Sequence, residues 1–384
     1  MHKQIVIITK YFVPHSNVDT NAVYDLIVKF LAEDPKIDIH VVTSGSNYKI
    51  DIKLREFKEQ ILKRITVHQT KTIKIQTKSN IKKFIFGLIE GFQLIKKAKS
   101  LNIDTIITLS NPPLIIALAN NLLKSKKLFY WSFDLYPDAF VSDGILSKRS
   151  KSYQLLDRLT YKFSPYGILA LGENQFRYLK NKFRSNSIKK ILLPCGIHNI
   201  KKAKVEPKWH HKDKINIAYV GNIGKAHSAK FLKNFIRVAE KYDQIHFFLT
   251  IYGFHAEEIR QYISENGFQN VRFTESVPQN EMGYIDIHLV SLNESWTHVS
   301  VPSKAVSAVC SGSAIWFNGS KESDTWKMFE TCSYYSNNNI SEIEENLSQL
   351  NHLDVIRKKE RANNIALQLI ELECQSIKEL IQEF

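Results

Sequence analysis

The chain has 384 residues, which is enough for two domains that each bury a hydrophobic core. Hydrophobic residues make up 43% and charged residues 24%, as in a globular protein, and no uncharged apolar run approaches the roughly 18 residues that a membrane-spanning helix requires. Lys and Arg exceed Asp and Glu by 15, which favours anionic partners. No helix-turn-helix, zinc-finger or RNA-sheet signature accompanies this charge, so we expect no nucleic acid partner.

The spacing of the cysteines and the first residues of the chain indicate the cellular compartment of the protein. The four cysteines lie far apart, without a CxxC or Cys/His pattern, which predicts reduced thiols and no structural zinc: Cys195, Cys310, Cys332 and Cys374. The apolar run near Met1 is short and lacks a small-residue cleavage site, so it predicts a first strand and no signal peptide. We therefore expect a cytoplasmic protein.

The opening residues predict a parallel sheet. A continuous apolar strand at Gln4 to Thr9 is followed by a loop, a helical pattern from Thr20 and a second strand at Ile37 to Thr43. Ligands of such sheets lie beyond the carboxyl ends of the strands, so the first loop borders a cleft. His15 and Asp19 are its polar candidates, and a solvated loop is the alternative.

The segment Lys71–Lys99 combines lysines with apolar residues such as Phe84, Leu88 and Phe92. A helix here would be basic on one side and apolar on the other, which suits the headgroup region of an anionic membrane. The alternative is that the apolar side packs on the sheet and the lysines are solvated. A peripheral position on the inner face of the cell membrane is thus one prediction.

Strands and helices then alternate up to a polar linker at Asn199–Lys214, with predicted strands at Asp104–Ser110, Leu128–Phe133, Gly167–Leu171 and Lys190–Pro194 and predicted helices at Leu114–Lys124, Tyr153–Phe163 and Glu173–Phe183. Asp134 and Asp138 follow the second of these strands. Two carboxylates at a carboxyl end could orient sugar hydroxyls or hold a proton, with helix capping as the alternative.

The second half repeats the pattern, with predicted strands at Ile215–Val220, His246–Tyr252, Val271–Glu275, Ile287–Leu292 and Ala314–Phe317 and a helical tail at Val355–Phe384. The first strand runs into a turn with Gly221 and Gly224, where a ligand can approach backbone amides closely. This turn matches neither the Walker nor the dinucleotide glycine pattern. Lys225 and Lys230 add cations there, although both fit a solvated helix start.

Two further residues follow strand ends. Phe254 could cover a nucleobase, and Glu294 could touch a sugar, with a solvated loop as the alternative for Glu294.

The stretch from Val301 to Phe317 predicts the rest of a strand–helix–strand unit that begins with the strand Ile287–Leu292, and its helix opens at Ser303. Pro302 suits a helix start because its φ is preset and it has no N–H, and Ser303 would cap the free amides. These amides, the helix dipole and the Lys304 ammonium together favour a phosphate. If this helix and the Gly221 turn share a crevice, the ligand is a diphosphate. An ordinary helix start with a surface lysine is the alternative.

The whole chain resembles the GT-B glycosyltransferases, and more narrowly the family 4 enzymes that build bacterial surface polysaccharides. The matching motifs are YFVP at Tyr11–Pro14, SNPP at Ser110–Pro113, DLYPD at Asp134–Asp138, LPCG at Leu193–Gly196, YVGNIG at Tyr219–Gly224 and VPSK at Val301–Lys304. The resemblance implies an α/β fold with two Rossmann-like domains facing across a cleft. It also implies that residues 1–198 hold the acceptor, that residues 205–361 hold the donor, and that a final helix at about 362–384 packs back on the first domain.

Roles carry over from the family to individual residues. The resemblance assigns the donor to Gly221, Gly224 and the Pro302–Lys304 motif, and a catalytic role to Asp134. This chain has Asn222 where the family usually has arginine, and Ser307 where the family often has a glutamate that clasps the ribose.

The sequence and the resemblance therefore predict a hexosyltransferase that moves a sugar from a nucleoside-diphosphate sugar to a glycan or lipid-linked acceptor. The resemblance implies retention of configuration and no metal cofactor. Lys304 would stabilise the leaving diphosphate, and His15 or Asp134 would position the acceptor hydroxyl. Two alternatives remain open. One is a nucleotide-sugar 2-epimerase of the same architecture. The other is a non-catalytic nucleotide-sugar or membrane-binding module, and the departures from the family pattern at Asn222 and Ser307 are the reason to consider it.

Overall fold

The structure, a computed structural model, describes residues 3–14, 17–44, 57–71 and 79–384. The chain forms two compact units, the first made of residues 1–193 and 374–384 and the second of residues 194–373. The divisions therefore follow Leu193 and Glu373, whereas the boundaries we placed from the sequence lie at 198, 205 and 362.

The first unit is built on a seven-stranded, all-parallel sheet in the order β3-β2-β1-β4-β5-β6-β7. Its strands are β1 (Gln4–Thr9), β2 (Asp38–Ser44), β3 (Ile65–Thr70), β4 (Thr105–Leu109), β5 (Lys127–Ser132), β6 (Gly167–Ala170) and β7 (Lys189–Leu192). The predicted parallel sheet is confirmed. Because the strand order reverses between β1 and β4, the loops that follow these two strands border a crevice at the carboxyl ends.

Helices connect these strands, namely α1 (Val18–Glu33), α2 (Glu59–Leu62), α3 (Asn80–Ser100), α4 (Ile115–Leu122), α5 (Asp138–Ser142), α6 (Lys151–Thr160) and α7 (Glu173–Phe183). The start of α1 is fixed by Asn17, whose side-chain oxygen accepts a hydrogen bond of 2.8 Å from the Thr20 amide. Such a cap replaces a bond that the first turn of a helix cannot make internally.

The second unit has a six-stranded, all-parallel sheet in the order β10-β9-β8-β11-β12-β13. Its strands are β8 (Ile215–Asn222), β9 (Ile245–Tyr252), β10 (Val271–Phe273), β11 (Ile287–Ser291), β12 (Ala314–Asn318) and β13 (Ser333–Tyr335). Its helices are α8 (Ala229–Ala239), α9 (Ala256–Asn266), α10 (Ser303–Cys310), α11 (Asp324–Phe329), α12 (Ile340–Ser348) and α13 (His352–Ile381), the last of which ends in the first unit.

Aromatic packing between α8 and the sheet forms the core of the second unit. Phe235 of α8 lies edge-on to Trp316 of β12, with ring centroids 5.1 Å apart, and both side chains are fully buried. This sheet reverses its strand order between β8 and β11, so the ends of these two strands are where a ligand of this unit is expected.

In the described part of the chain, no helix is both long and apolar enough to cross a membrane.

Candidate functional site

The candidate donor site lies where β8 and β11 end. Gly221 is the last residue but one of β8, and its φ of +110° is a conformation that favours glycine. The chain then turns and enters α8, which is capped by Ser228: its hydroxyl accepts a hydrogen bond of 3.1 Å from the Phe231 amide. The short loop between β8 and α8 is therefore held at both ends.

Lys304 reaches this loop from α10. Its ammonium donates hydrogen bonds to the Tyr219 hydroxyl and to the Asn222 carbonyl, both at 2.7 Å. The structure thus brings Lys304 and the Gly221 turn together within the second unit, and this proximity is a condition of the diphosphate prediction.

The charge of Lys304 is only partly compensated. Burial lowers the pKa of its ammonium to about 7, and the ammonium lies 4.2 Å from the centre of the Tyr219 ring. Among the residues that the structure describes, no carboxylate pairs with this ammonium; its partners are neutral oxygens. An anionic ligand at this position would gain a charge-assisted hydrogen bond and would stabilise the protonated amine.

The start of α10 differs in one respect from the prediction. The helix opens at Ser303 as predicted, but Ser303 does not cap it: Ser303 is the first helical residue, and the cap position is occupied by Pro302, whose side chain cannot accept a hydrogen bond. The amides of the first turn are therefore without a side-chain cap. Such an uncapped end leaves backbone donors for an anion.

Ser307 lies one turn further along α10 and is engaged with the backbone. Its hydroxyl donates a hydrogen bond of 3.1 Å to the Gly196 carbonyl. Gly196 has φ +98°, and a Cβ at this position would lie 2.7 Å from the Ser307 oxygen. Ser307 thus holds a close approach of the Gly196 loop to α10.

The outer side of the β8–α8 loop is exposed. Asn222 is exposed, and its side-chain oxygen lies 1.9 Å from where a Cβ on Gly253 would be, so this approach requires glycine at residue 253. Gly224 lies in the same turn. The Lys225 ammonium is 5.5 Å from the ring of Phe254, which is 67% exposed. An exposed aromatic ring beside a cation offers a surface on which a nucleobase can stack.

Asn293 is a site residue that the sequence reasoning missed. Its amide donates to the Ala226 carbonyl at 2.8 Å, and its side chain donates to the carbonyls of Lys225 at 3.0 Å and His227 at 3.3 Å. One side chain therefore ties the loop after β11 to the loop after β8. The only sequence signal was an amide residue just beyond a predicted strand.

The remaining predicted donor residues lie at the surface. Lys230 is exposed in the first turn of α8, and Glu294 is exposed at the start of a 3-10 helix, Glu294–Trp296. Their proposed roles toward the ligand stay predictions.

In the first unit, polar groups collect beyond β1, β4 and β5. Asp134 follows β5, and its amide donates to the Ser110 hydroxyl at 3.1 Å. Asp19, in the first turn of α1, accepts a hydrogen bond of 3.4 Å from the Asn111 side chain, and burial together with the charge of Asp134 raises the pKa of its carboxyl to about 6. His15 lies outside the described residues.

Asp138 has a structural role. Capping does not explain it, because the cap of α5 is Pro137, and the Asp138 carboxylate is buried. It accepts hydrogen bonds from the hydroxyls of Tyr153 at 2.8 Å and Tyr178 at 2.7 Å, and the Lys182 ammonium lies 3.5 Å away. This buried network fixes the loop that carries Asp134.

Across residues 3–14, 17–44, 57–71 and 79–384, no group of three or more His, Cys, Asp or Glu side chains is arranged to hold a metal ion.

Comparison with curated proteins gives one partial match. The chain is 25% identical over 221 residues to a Pseudomonas aeruginosa protein named probable glycosyltransferase WbjE. The match covers 53% of this chain and 54% of the relative, so the chain spans about half the length of the curated relative it matches. No protein-family model matches.

Comparison with solved structures covers the whole chain. Sucrose-phosphate synthase from Thermosynechococcus elongatus has a TM-score of 0.73 and 10% identity, covering 99% of this chain and 98% of its own. HepE from Anabaena, in complex with UDP and glucose, has a TM-score of 0.68 and 14% identity, covering 100% of both chains. WaaG, a glycosyltransferase involved in lipopolysaccharide biosynthesis, has a TM-score of 0.67 and 12% identity, covering 98% of this chain and 99% of its own. The two parallel sheets and these full-length matches show that the chain has the GT-B fold, with two Rossmann-like units.

Proposed function

We propose that this protein is a glycosyltransferase of the hexosyltransferase type that moves a sugar from a nucleoside-diphosphate sugar to a glycan or lipid-linked acceptor. The observation that carries the proposal is the position of Lys304. Among the described residues, its half-buried ammonium meets only neutral oxygens at the end of β8, where a parallel sheet of this order binds ligands.

The leaving group of the reaction is a nucleoside diphosphate, on which negative charge builds as the bond to the sugar breaks. Lys304, the uncapped amides of α10 and Lys225 would stabilise that charge. Electrostatic stabilisation by groups already in place commonly contributes more to catalysis than any other effect. With cations in this role, the reaction as we propose it requires no metal. In the first unit, His15 and Asp134 are our candidates for positioning the acceptor hydroxyl.

The comparisons support the choice of donor and acceptor classes. HepE was solved with UDP-glucose, and WaaG acts in lipopolysaccharide biosynthesis. From the resemblance of the sequence we further propose retention of configuration and a role in bacterial surface polysaccharide synthesis.

The test is an assay of purified protein with UDP-glucose and a panel of other nucleotide sugars, with and without membrane extract as the source of acceptor. We expect acceptor-dependent release of the nucleotide, and we expect Lys304→Ala to reduce turnover by about 100-fold or more. Lys241→Ala is the matched control, because Lys241 is an exposed lysine of the same unit that pairs with Glu344. Its turnover should equal that of the wild type.

Other outcomes identify the alternatives. Epimerised donor in the absence of acceptor would indicate the 2-epimerase. Binding of nucleotides without any turnover would indicate a non-catalytic module. Full activity of Lys304→Ala would contradict the role that we give to this ammonium.

We also propose that α3 binds the surface of an anionic membrane. The helix packs inward through Gly91, which faces Leu118 of α4 and Pro112. Its outer side carries three apolar side chains at helical spacing, Ile85, Ile89 and Phe92, which are 49%, 41% and 47% exposed. Exposed lysines flank them: Lys82, Lys83, Lys96 and Lys99. Apolar groups between cations suit the boundary between headgroups and acyl chains, and Lys74 and Lys78 of the predicted segment lie outside the described residues.

Flotation with vesicles that contain phosphatidylglycerol tests this surface. Replacing Ile85, Ile89 and Phe92 together by serine should abolish flotation. Leu367→Ser is the control, because Leu367 is a 67% exposed leucine on α13. Equal flotation of the triple variant and the control would contradict a membrane role for α3.

A further inference from the structure

His227 lies in the β8–α8 loop, and nothing above gives its side chain a function. Its Nδ1 donates a hydrogen bond to the Ser291 carbonyl at the end of β11. Its ring centre is 6.4 Å from that of Tyr219, the residue whose hydroxyl binds Lys304. Burial, and secondarily the charge of Lys304, lowers the pKa of the imidazole to about 3. The ring is therefore neutral at any pH at which the protein is expected to work.

Because Nδ1 carries the proton, the hydrogen-bonding role of the other ring nitrogen, Nε2, is fixed. A neutral imidazole with its proton on Nδ1 carries a lone pair on Nε2, so Nε2 can only accept a hydrogen bond. Among the residues that the structure describes, none donates to His227 Nε2, and the residue is only partly buried. An acceptor of this kind repels phosphate oxygens and attracts a hydroxyl.

The position of this acceptor is well determined. The ring is held by Ser291, and the His227 carbonyl accepts from the Asn293 side chain at 3.3 Å. Ser291 also accepts, through its hydroxyl oxygen, a hydrogen bond of 3.1 Å from the Ser228 amide. A group that is fixed before the ligand arrives loses little entropy on binding, which favours selectivity.

We propose that His227 Nε2 accepts a hydrogen bond from a hydroxyl of the bound nucleotide sugar beside the diphosphate, either on the ribose or on the transferred sugar. His227 would then be a specificity-determining residue of the donor site, and this inference rests on the proposed function. Lys304 and α10 would hold the diphosphate, and His227 would select among ligands that carry it.

Two conservative variants separate this role from a purely structural one. In His227→Asn the amide can occupy the Nδ1 position and keep the bond to Ser291, but nothing occupies the Nε2 position. In His227→Gln the amide reaches the Nε2 position and the bond to Ser291 is lost. We expect calorimetry to show about tenfold weaker binding of UDP-glucose to the Asn variant and a smaller loss for the Gln variant. The reverse order would mean that His227 only supports the loop, and would overturn the proposal.

Deoxy ligands identify the hydroxyl. If it lies on the ribose, UDP-glucose with a 2′- or 3′-deoxyribose should bind the wild type about tenfold more weakly than UDP-glucose, and should bind wild type and His227→Asn equally. If it lies on the sugar, UDP-2-deoxyglucose should show this pattern. Should every ligand bind wild type and both variants alike, the inference fails while the proposed function stands. Should the wild type bind no nucleotide sugar at all, both fail.

Discussion

Lys304 shows how one side chain can be unfavourable for folding and yet be suited to bind an anion. Its ammonium is drawn from water into a place with neutral partners, which is why its pKa falls to about 7. A pKa that is lower in the folded chain than in the unfolded one means that folding disfavours the protonated form of the amine. The arrangement therefore lacks a negative charge that a ligand can provide.

The first prediction concerns the pH dependence of donor binding. Only the protonated amine attracts the diphosphate, so the affinity for UDP-glucose should be highest below pH 7 and should fall by up to about tenfold for each pH unit above it. UDP-glucose suits this test because its diphosphate does not titrate in this range. Calorimetry in buffers of different ionisation enthalpy should detect proton uptake on binding. Lys304→Met should bind UDP-glucose weakly and with an affinity that does not change with pH. A pH dependence that persists in this variant would mean that another group takes up the proton.

The second prediction concerns Gly253. Its φ of +104° strains any other residue, and a Cβ there would also displace the Asn222 side chain. Gly253→Ala should lower the free energy of unfolding by about 1 kcal/mol or more and weaken UDP-glucose binding. Gly267→Ala is the matched control, because Gly267 has φ +66° with open space around it. Gly267→Ala should lose stability but keep its affinity for UDP-glucose. Equal affinities of the two variants would mean that Asn222 does not contribute to donor binding.

At this scale the sequence predicts residues whose chemistry is visible in a motif. Lys304 follows from a proline–serine pair that opens a helix, and the structure brings it to the Gly221 turn. Asn293 and His227 were missed because their roles depend on bonds between loops that lie far apart in sequence. Ser303 was misassigned as the cap because a one-residue shift of a helix start changes which side chain can reach the amides.

The C-terminal end of α13 is anchored by the charged side chain of Glu383. Glu383 accepts hydrogen bonds from Lys189, Lys127 and Tyr166, and these bonds lower the pKa of its carboxyl to about 2. The partner side chains belong to β7, β5 and the residue just before β6, so one carboxylate holds the end of α13 against three strands of the first unit.

The third prediction follows from this anchor. Glu383→Gln should lower the free energy of unfolding of the first unit by about 1–2 kcal/mol, since charged hydrogen bonds are lost. Because the folded pKa is depressed, the stabilisation is complete above pH 4.5 and disappears as the pH falls toward 2. Wild type and variant should therefore converge in thermal midpoint in acid. Glu59→Gln, an exposed partner of Lys63, should change little. A constant difference down to pH 2 would contradict the ion-pair account.

Elements differ in how far the sequence determines them. β1 was predicted correctly because Ile5 to Ile8 form a continuous apolar run that is fully buried. β3 was not predicted: it is a strand of mixed composition, Ile65–Thr70, at the edge of the sheet, and among the described strands it pairs with β2 alone. Strands of this kind are specified by the neighbour they pair with, which the sequence does not display.

The charge of the whole molecule favours anionic surfaces. The excess of 15 basic side chains should attract an anionic bilayer over several ångströms, and the apolar side chains of α3 should then hold the protein at close range.

The fourth prediction separates these two forces. Raising the salt concentration from 0.05 to about 1 M shortens the screening length from roughly 14 to 3 Å, so vesicle binding should weaken strongly. The triple serine variant of α3 should not bind at either concentration. Vesicles of neutral lipid alone should recruit little protein in either medium. Binding that is indifferent to salt would assign the attachment to apolar contacts only.

The bonds made by Asn293 have a consequence for engineering. Because one side chain joins the segment after β11 to the segment after β8, the two loops form a single structural module. A designer who transplants only one of them from another protein of this fold would import half of a matched pair. If the proposed function holds, changes of sugar preference should therefore succeed when both loops are exchanged together.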